Sequence, residues 1–293
     1  MGYIALALSS GVLLGIWKFG LSFYRGRISS YAVVLFSAAA AAVAYVVLGS
    51  LAGTLAFDAQ DLLAGLLGGA CNLTGTLLLL KGYERGKVGV VTGIAASYVL
   101  VPLAYSFVIG EQITWVMAAG VLVIMAGVAI FYSASVQKKS LQEKSMQERS
   151  EAASARMPIV LALGAALFWG LAIVVLDEGT QVSVTGTLAL SQVPQVAFTL
   201  VAVLLASRTS RAFAGVSPRA IVVLAAAGVA LALGNIAFFT AADEGDIGVV
   251  SVLASLSPLV TALLALAFLR ERLERREILA LAVVLGGTAL VVV

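Results

Sequence analysis

Polar side chains inside long apolar runs are the residues of this sequence that could do chemistry. Lys18 is the one charged residue well inside such a run, seven positions before Arg25. Its ammonium either reaches the membrane boundary along its aliphatic stem or lies in a cavity, where it would pair with a carboxylate or another anionic group. The sequence leaves both readings open.

Amides, hydroxyls and indoles in the middle of apolar runs form a second group of candidates. Gln192 and Gln195 flank Pro194, which cannot donate to the carbonyl of Leu190 and so leaves an acceptor free. Such groups either contact a small molecule or join neighbouring helices by hydrogen bonds. The same two readings hold for Asn72, Tyr98, Tyr105, Asn235 and Ser255, while Trp17 and Trp169 either line a cavity or fill volume in the core.

The residue types that carry most enzymatic chemistry are scarce. The chain has no histidine and a single cysteine, Cys71, so the commonest metal ligand and general base are missing and no intrachain disulfide is possible. No glycine-rich stretch ends in Lys-Ser or Lys-Thr, as a nucleotide-hydrolysing motor would require. We therefore expect no catalytic residues, no metal and no cofactor, and the chain is not predicted to be an enzyme.

Composition places these candidates in a membrane. Hydrophobic residues make up 61% of the chain and charged residues 11%, against roughly 45–50% and about 25% in soluble domains. The basic residues lie in short loops instead of one patch, so no nucleic-acid partner is expected. Ten runs are long enough to cross a hydrocarbon core of about 30 Å as helices: residues 3–24, 31–56, 60–80, 88–109, 112–132, 158–176, 185–207, 219–241, 247–269 and 277–293.

The loop charges predict an orientation. Every Lys and Arg other than Lys18 lies in a loop that follows an odd-numbered run. The charged residues in the loops after even-numbered runs are all Asp or Glu. The positive-inside rule makes the basic loops cytoplasmic. We expect a multi-pass protein of the inner or plasma membrane with both termini outside the cytoplasm.

One polar stretch divides the runs into two sets of five. Residues 133–157 are the only polar stretch long enough to be a linker, and they separate residues 1–132 from residues 158–293. This stretch is predicted to be a cytoplasmic linker. Each flanking segment is predicted to be one five-helix repeat, and Pro102, Pro194 and Pro258 are expected to kink the helices that contain them.

The two halves align with each other. Gly89 falls on Gly248, each followed by two valines, and Gly15 falls on Gly170, while matching loops carry opposite charge. An odd number of helices in each copy inserts the second copy upside down. The sequence predicts an all-α integral membrane protein with ten transmembrane helices in two inverted five-helix repeats, and such proteins place a substrate site between the repeats.

Several motifs of the second half resemble a known family. They are Leu256-Ser257-Pro258 within a helix, Leu-x-Glu-Arg-Leu at residues 269–273, Gly286-Gly287 in the last helix and Phe168-Trp169-Gly170 in the sixth. Together they closely resemble the EamA repeat of the drug/metabolite transporter superfamily. The resemblance covers the whole chain and is weaker in the first half, where Pro102 is displaced from the position that matches Pro258.

The resemblance implies a ten-helix carrier with a central cavity, often an exporter of amino acids or related compounds. It also implies cytoplasmic termini, the reverse of what the charges predict. We expect a secondary transporter that moves a small polar metabolite by alternating access. A sugar or nucleotide-type uptake carrier and an integral-membrane enzyme are the alternatives. The expected partners are a small-molecule substrate and the lipid bilayer, and the sequence is compatible with a monomer.

Overall fold

The chain is a bundle of helices joined by short turns. The computed structural model describes residues 2–24, 26–110, 148–205, 215–254, 256–269 and 275–292, together with residue 213 and several positions between 114 and 130. Every regular element within these ranges is helical. The predicted all-helical class is confirmed.

The helices follow one another in a simple order. In this order they are α1 (Gly2–Phe23), α2 (Ser30–Ala52), α3 (Ala59–Arg85), α4 (Val88–Ala95), a 3-10 turn (Ala96–Val99), α5 (Leu100–Val108), α6 (Glu148–Thr180), α7 (Val184–Leu205), α8 (Pro218–Glu244), α9 (Ile247–Ala254), α10 (Ser257–Phe268) and α11 (Arg275–Val292).

Eight helical segments among the described residues are long and apolar enough to cross a membrane. Large apolar side chains such as Leu51 and Leu204 are exposed on their outer surfaces, where lipid would cover them. These features make the chain a multi-pass membrane protein. The predicted span at 112–132 lies mostly outside the described residues, and α11 covers the predicted last span with an apolar stretch at Ile278–Gly287.

Two predicted helices are interrupted near their centres. The runs at 88–109 and 247–269 were each expected to form one helix, but the first contains the 3-10 turn and the second contains a turn at Leu256, directly before α10. Proline explains both positions: Pro102 cannot donate to the carbonyl of Tyr98, and Pro258 cannot donate to that of Ala254. The interruptions therefore fall where the backbone hydrogen-bond ladder lacks a donor.

Two other predicted features fall on helices. Pro194 lies inside α7, which is helical on both sides of it. Helix α6 begins at Glu148, so the last ten residues of the predicted linker 133–157 are helical. The rest of that linker lies outside the described part of the chain.

Helices from the two halves pack against each other in matching combinations. The first helix of each half contacts the third helix of the other half: α1 lies along α8, and α3 lies along α6. Helix α2 contacts α7, and each of these two also contacts the third helix of the opposite half. The first helix of each half also lies against the interrupted helix of the other half.

Glycine permits the closest of these crossings. A Cβ at Gly15 of α1 would lie 2.8 Å from the carbonyl oxygen of Ser257, and a Cβ at Gly170 of α6 would lie 2.7 Å from that of Tyr98. Both distances are too short for a methyl group beside backbone. The interrupted helices can approach α1 and α6 so closely because glycine stands at the crossing points.

A second matching pair of glycines brings α3 and α8 close to the second helix of the opposite half. A Cβ at Gly69 would overlap the backbone of Ser191 in α7, and a Cβ at Gly228 would overlap the backbone of Ser37 in α2. The pairwise contacts therefore tie the two halves together along their length.

Candidate functional site

A cavity lies between the two halves. Its first wall comes from α1, α3 and the 3-10 turn, and its second wall from α6 and α8. Most of the lining side chains are aromatic or aliphatic, so the few polar groups are the ones that can orient a ligand.

The ammonium of Lys18 is the charged group of this cavity. Lys18 is 2% exposed, and its Nζ donates to Ser257 Oγ at 2.7 Å. The same nitrogen lies 5.4 Å from the ring centroid of Tyr98 and 5.0 Å from that of Trp169. The ammonium is therefore directed into the cavity and not toward the membrane boundary.

The partners of Lys18 are all neutral. Among the described residues no carboxylate pairs with its ammonium. Taking a charge out of water is costly, and buried charges in proteins are commonly paired with a group of opposite charge. An anion in the cavity would neutralise the ammonium.

Two indoles form a rigid apolar surface beside the lysine. The rings of Trp17 and Trp169 lie 5.7 Å apart at an angle of 46°. Trp17 Nε1 donates to Ser37 Oγ at 3.2 Å, and Trp169 Nε1 donates to Thr76 Oγ1 at 3.4 Å. Because each N–H is already bonded away from the cavity, the rings present flat apolar faces to a ligand.

Two asparagines complete the polar lining. The Asn235 side chain donates to Tyr45 Oη at 3.0 Å, which fixes the orientation of its amide. Asn72 is 8% exposed, and its side chain has no hydrogen-bond partner in the described ranges. An amide offers two donors and one acceptor, so Asn72 has unused capacity for a polar group of a ligand.

Hydrogen bonds join the loops of the two halves at one end of the molecule. Ser183 Oγ donates to the Thr54 carbonyl at 2.8 Å, and Thr185 Oγ1 donates to the same carbonyl at 3.2 Å. Thr187 Oγ1 donates at 2.8 Å to Asp61, whose carboxylate is fully buried and also accepts from the backbone N–H of Asp58 at 3.1 Å. We call these contacts the loop tie.

A sequence comparison identifies the second half of the chain. The model of the EamA-like transporter family matches residues 156–293. These residues are similar to the EamA-like transporter family, which is part of the drug/metabolite transporter superfamily. The resemblance seen in the motifs of the second half is therefore confirmed.

A structural comparison covers nearly the whole chain. A solved structure described only as "Crystal structure of protein" superposes with a TM-score of 0.71 at 14% identity, covering 98% of this chain and 96% of the other. At this identity the match shows a shared fold. No curated protein matches the chain by sequence.

The cavity brings together six of the ten predicted substrate-binding residues. They are Trp17, Lys18, Asn72, Tyr98, Trp169 and Asn235. Two of them, Trp169 and Asn235, come from the half that matches the EamA model.

The two glutamines of the EamA-like half lie elsewhere. Gln192 and Gln195 are 1% and 3% exposed and bond along α7: Gln195 donates to Gln192 at 2.9 Å, and Gln192 donates to Ser191 at 2.8 Å. They are not part of the cavity lining. The bonds described for these two amides stay within α7, so they neither reach the cavity nor join α7 to a neighbouring helix.

The other two predicted residues also lie apart from the cavity or outside the description. The Tyr105 hydroxyl donates to the carboxylate of Glu178 near the end of α6. Ser255 lies outside the described residues.

Several cavity residues were not predicted from the sequence. Ser257, which holds the lysine, and the adjacent pair Phe238 and Phe239 are the most important. A signal existed for Ser257, because it directly precedes Pro258 in the motif that carries the family resemblance. Phe238 and Phe239 gave no signal, since aromatic residues in an apolar run are equally suited to lipid.

Proposed function

We propose that this protein is a secondary transporter that exports a small polar metabolite, an amino acid or a related compound, by alternating access. The buried, unpaired ammonium of Lys18 in the cavity between the two halves carries the proposal. A structural protein would have no use for an uncompensated charge at this depth. A binding site for a ligand with an anionic group accounts for a positive charge at this position.

Alternating access requires two units that can move against each other. We propose that the halves are inverted repeats in a ten-helix protein. The proposal is supported by the matching close contacts at Gly15 and Gly170 and by those at Gly69 and Gly228. The opposite charges of matching loops support the inversion.

The loop tie provides the contacts that such a movement would break. It joins the loop before α3 to the loop before α7, and both loops belong to the acidic set that the charge rule places outside the cytoplasm. In this proposal the described conformation is closed on that side. Opening would replace the bonds of Thr54 and Asp61 by bonds to water.

Counterflow of labelled metabolites in proteoliposomes tests the proposal. Vesicles preloaded with an unlabelled amino acid or related acid should accumulate the same labelled compound transiently and with saturation. Lys18→Met should reduce this uptake by about tenfold or more, because a charged hydrogen-bond partner worth about 1.5–3 kcal/mol is lost.

The matched control makes the same substitution at an exposed lysine. Lys81 lies on the surface of α3, so Lys81→Met should leave counterflow unchanged. If no compound of a broad metabolite panel shows saturable counterflow, the proposal is wrong.

A further inference from the structure

The chemistry of the cavity lining restricts the ligand beyond a small polar metabolite. Lys18 supplies a positive charge, and none of the described residues that line the cavity is acidic. The ammonium already lies over the rings of Tyr98 and Trp169. A cationic ligand would therefore be repelled by Lys18 and would find no carboxylate among the described lining residues.

A zwitterionic amino acid meets the same difficulty. If its carboxylate bound to Lys18, its own ammonium would lie about 5 Å from the lysine with no acidic partner. At an effective dielectric constant near 20, this repulsion lowers affinity by on the order of a hundredfold relative to the same acid without an amino group.

The bond to Ser257 fixes the end of the cavity at which the charge lies. Ser257 is the first residue of α10, and its hydroxyl accepts from Lys18 Nζ across the boundary between α1 and α10 at 2.7 Å. An anionic group of a ligand would therefore bind at this end of the cavity.

The remainder of the cavity suits an apolar body with one further polar group. The faces of Trp17 and Trp169 and the rings of Phe238 and Phe239 line it. The buried amide of Asn72, which has no partner among the described residues, is the group that remains for a hydroxyl or keto oxygen.

Building on the proposed function, we infer that the transported substrates are small organic monocarboxylates with an aromatic or branched apolar body and no charged amino group. The carboxylate binds Lys18 at the start of α10, and the apolar body lies against the two indoles. Substrates with a hydroxyl or keto group gain a contact with Asn72.

Intrinsic fluorescence can report binding inside the cavity directly. The chain has three tryptophans, two of them in the cavity, while Trp115 is 92% exposed. In the full-length Trp115→Phe variant the emission therefore comes from Trp17 and Trp169. Three probes share one phenylethyl body and differ in their head groups: 3-phenylpropanoate, phenylalanine and phenethylamine.

We expect 3-phenylpropanoate to change the emission with saturation, phenylalanine to bind at least about tenfold more weakly and phenethylamine not to bind. In the same background, Lys18→Met should weaken binding of 3-phenylpropanoate by about 10- to 100-fold, and Lys18→Arg should preserve most of it. Equal or tighter binding of phenylalanine or phenethylamine would overturn the inference. So would the absence of a saturable change with 3-phenylpropanoate, a result that does not depend on the folding of any Lys18 variant.

Counterflow on the same preparation separates this inference from the proposed function. Binding of 3-phenylpropanoate without saturable counterflow of any compound would support the inferred ligand class and contradict the transport proposal. Saturable counterflow of phenylalanine without binding of 3-phenylpropanoate would support transport and overturn the ligand class.

Discussion

The two walls of the cavity match in position and differ in chemistry. The sequence offset that takes Gly15 to Gly170 takes Lys18 to Ile173, and both of these side chains line the cavity. The same offset takes Leu14 to Trp169, another pair of lining residues. One wall therefore carries the charge, and an aliphatic side chain occupies the matching place on the other.

The third helices repeat this relation. The offset that takes Gly89 to Gly248 takes Asn72 of α3 to Leu231 of α8, and both line the cavity. The positions of close packing are shared between the halves, whereas the polar groups are not. The comparison teaches that both halves contribute corresponding positions to one cavity, while the few polar side chains that differ between them decide what binds there.

The strongest test concerns the shared packing. Gly69→Ala and Gly228→Ala each place a methyl group against backbone of the opposite half. Because backbone cannot move aside, each substitution should destabilise the protein by about 3 kcal/mol or prevent folding. Thermal unfolding of the detergent-solubilised protein measures the effect.

Gly286→Ala is the matched control, since a Cβ at Gly286 would meet nothing within 4 Å. Equal losses at Gly69 and Gly228 would support the match between the two halves. A variant of either position that unfolds at the same temperature as the unsubstituted protein would contradict it.

The next test concerns the unshared charge. The double variant Lys18→Ile with Ile173→Lys moves the ammonium to the matching place on the other wall. We expect counterflow to remain about tenfold or more below the unsubstituted level, because Ser257 and the ring faces lie around Lys18. Recovery to the original rate would show that the walls are chemically interchangeable.

A smaller effect is expected at the loop tie between the halves. Thr187→Val keeps the shape of the side chain but removes the donor to the buried carboxylate of Asp61. The loss should be about 1.5–3 kcal/mol in thermal unfolding.

Thr74→Val is the control for this substitution, because Thr74 is half-buried and its hydroxyl bonds only within its own helix, to the Ala70 carbonyl. If the two variants unfold at the same temperature, the tie does not hold the halves together.

The last test concerns the orientation of the protein in the membrane, and its reporter fusions are not expected to change stability or activity. The charge pattern predicts that both termini lie outside the cytoplasm. A C-terminal reporter that is active only in the cytoplasm should remain silent, while the same reporter inserted between residues 138 and 144 should give a signal. A bright C-terminal fusion would reverse the predicted orientation.

Much of the fold could be predicted because apolar run length and loop charge follow directly from the physics of the bilayer. The interruptions near Pro102 and Pro258 could not be predicted, because proline alone does not cause one: α7 is helical on both sides of Pro194, whereas a turn at Leu256 precedes Pro258. The backbone near Pro258 is also approached closely by another helix, since Gly11 and Gly15 of α1 lie against it. The two segments are far apart in the sequence, which gives no sign of this contact.

The candidate site was predictable only in part for a related reason. Polar residues in mid-run indicated both Lys18, which lines the cavity, and Gln192, which bonds along its own helix. In a soluble protein the apolar face would show which way a helix is turned. Here lipid and core are equally apolar, so the spacing of apolar residues does not show which side of a helix faces the core.

The bond between Lys18 and Ser257 also has a consequence for how the chain is made. The two residues are separated by 239 positions, so at roughly 5–20 residues per second the ribosome adds the serine about 10–50 s after the lysine. Until then the ammonium has no bond to Ser257 and α1 has no α10 to pack against. The described position of Lys18 therefore depends on the last quarter of the protein.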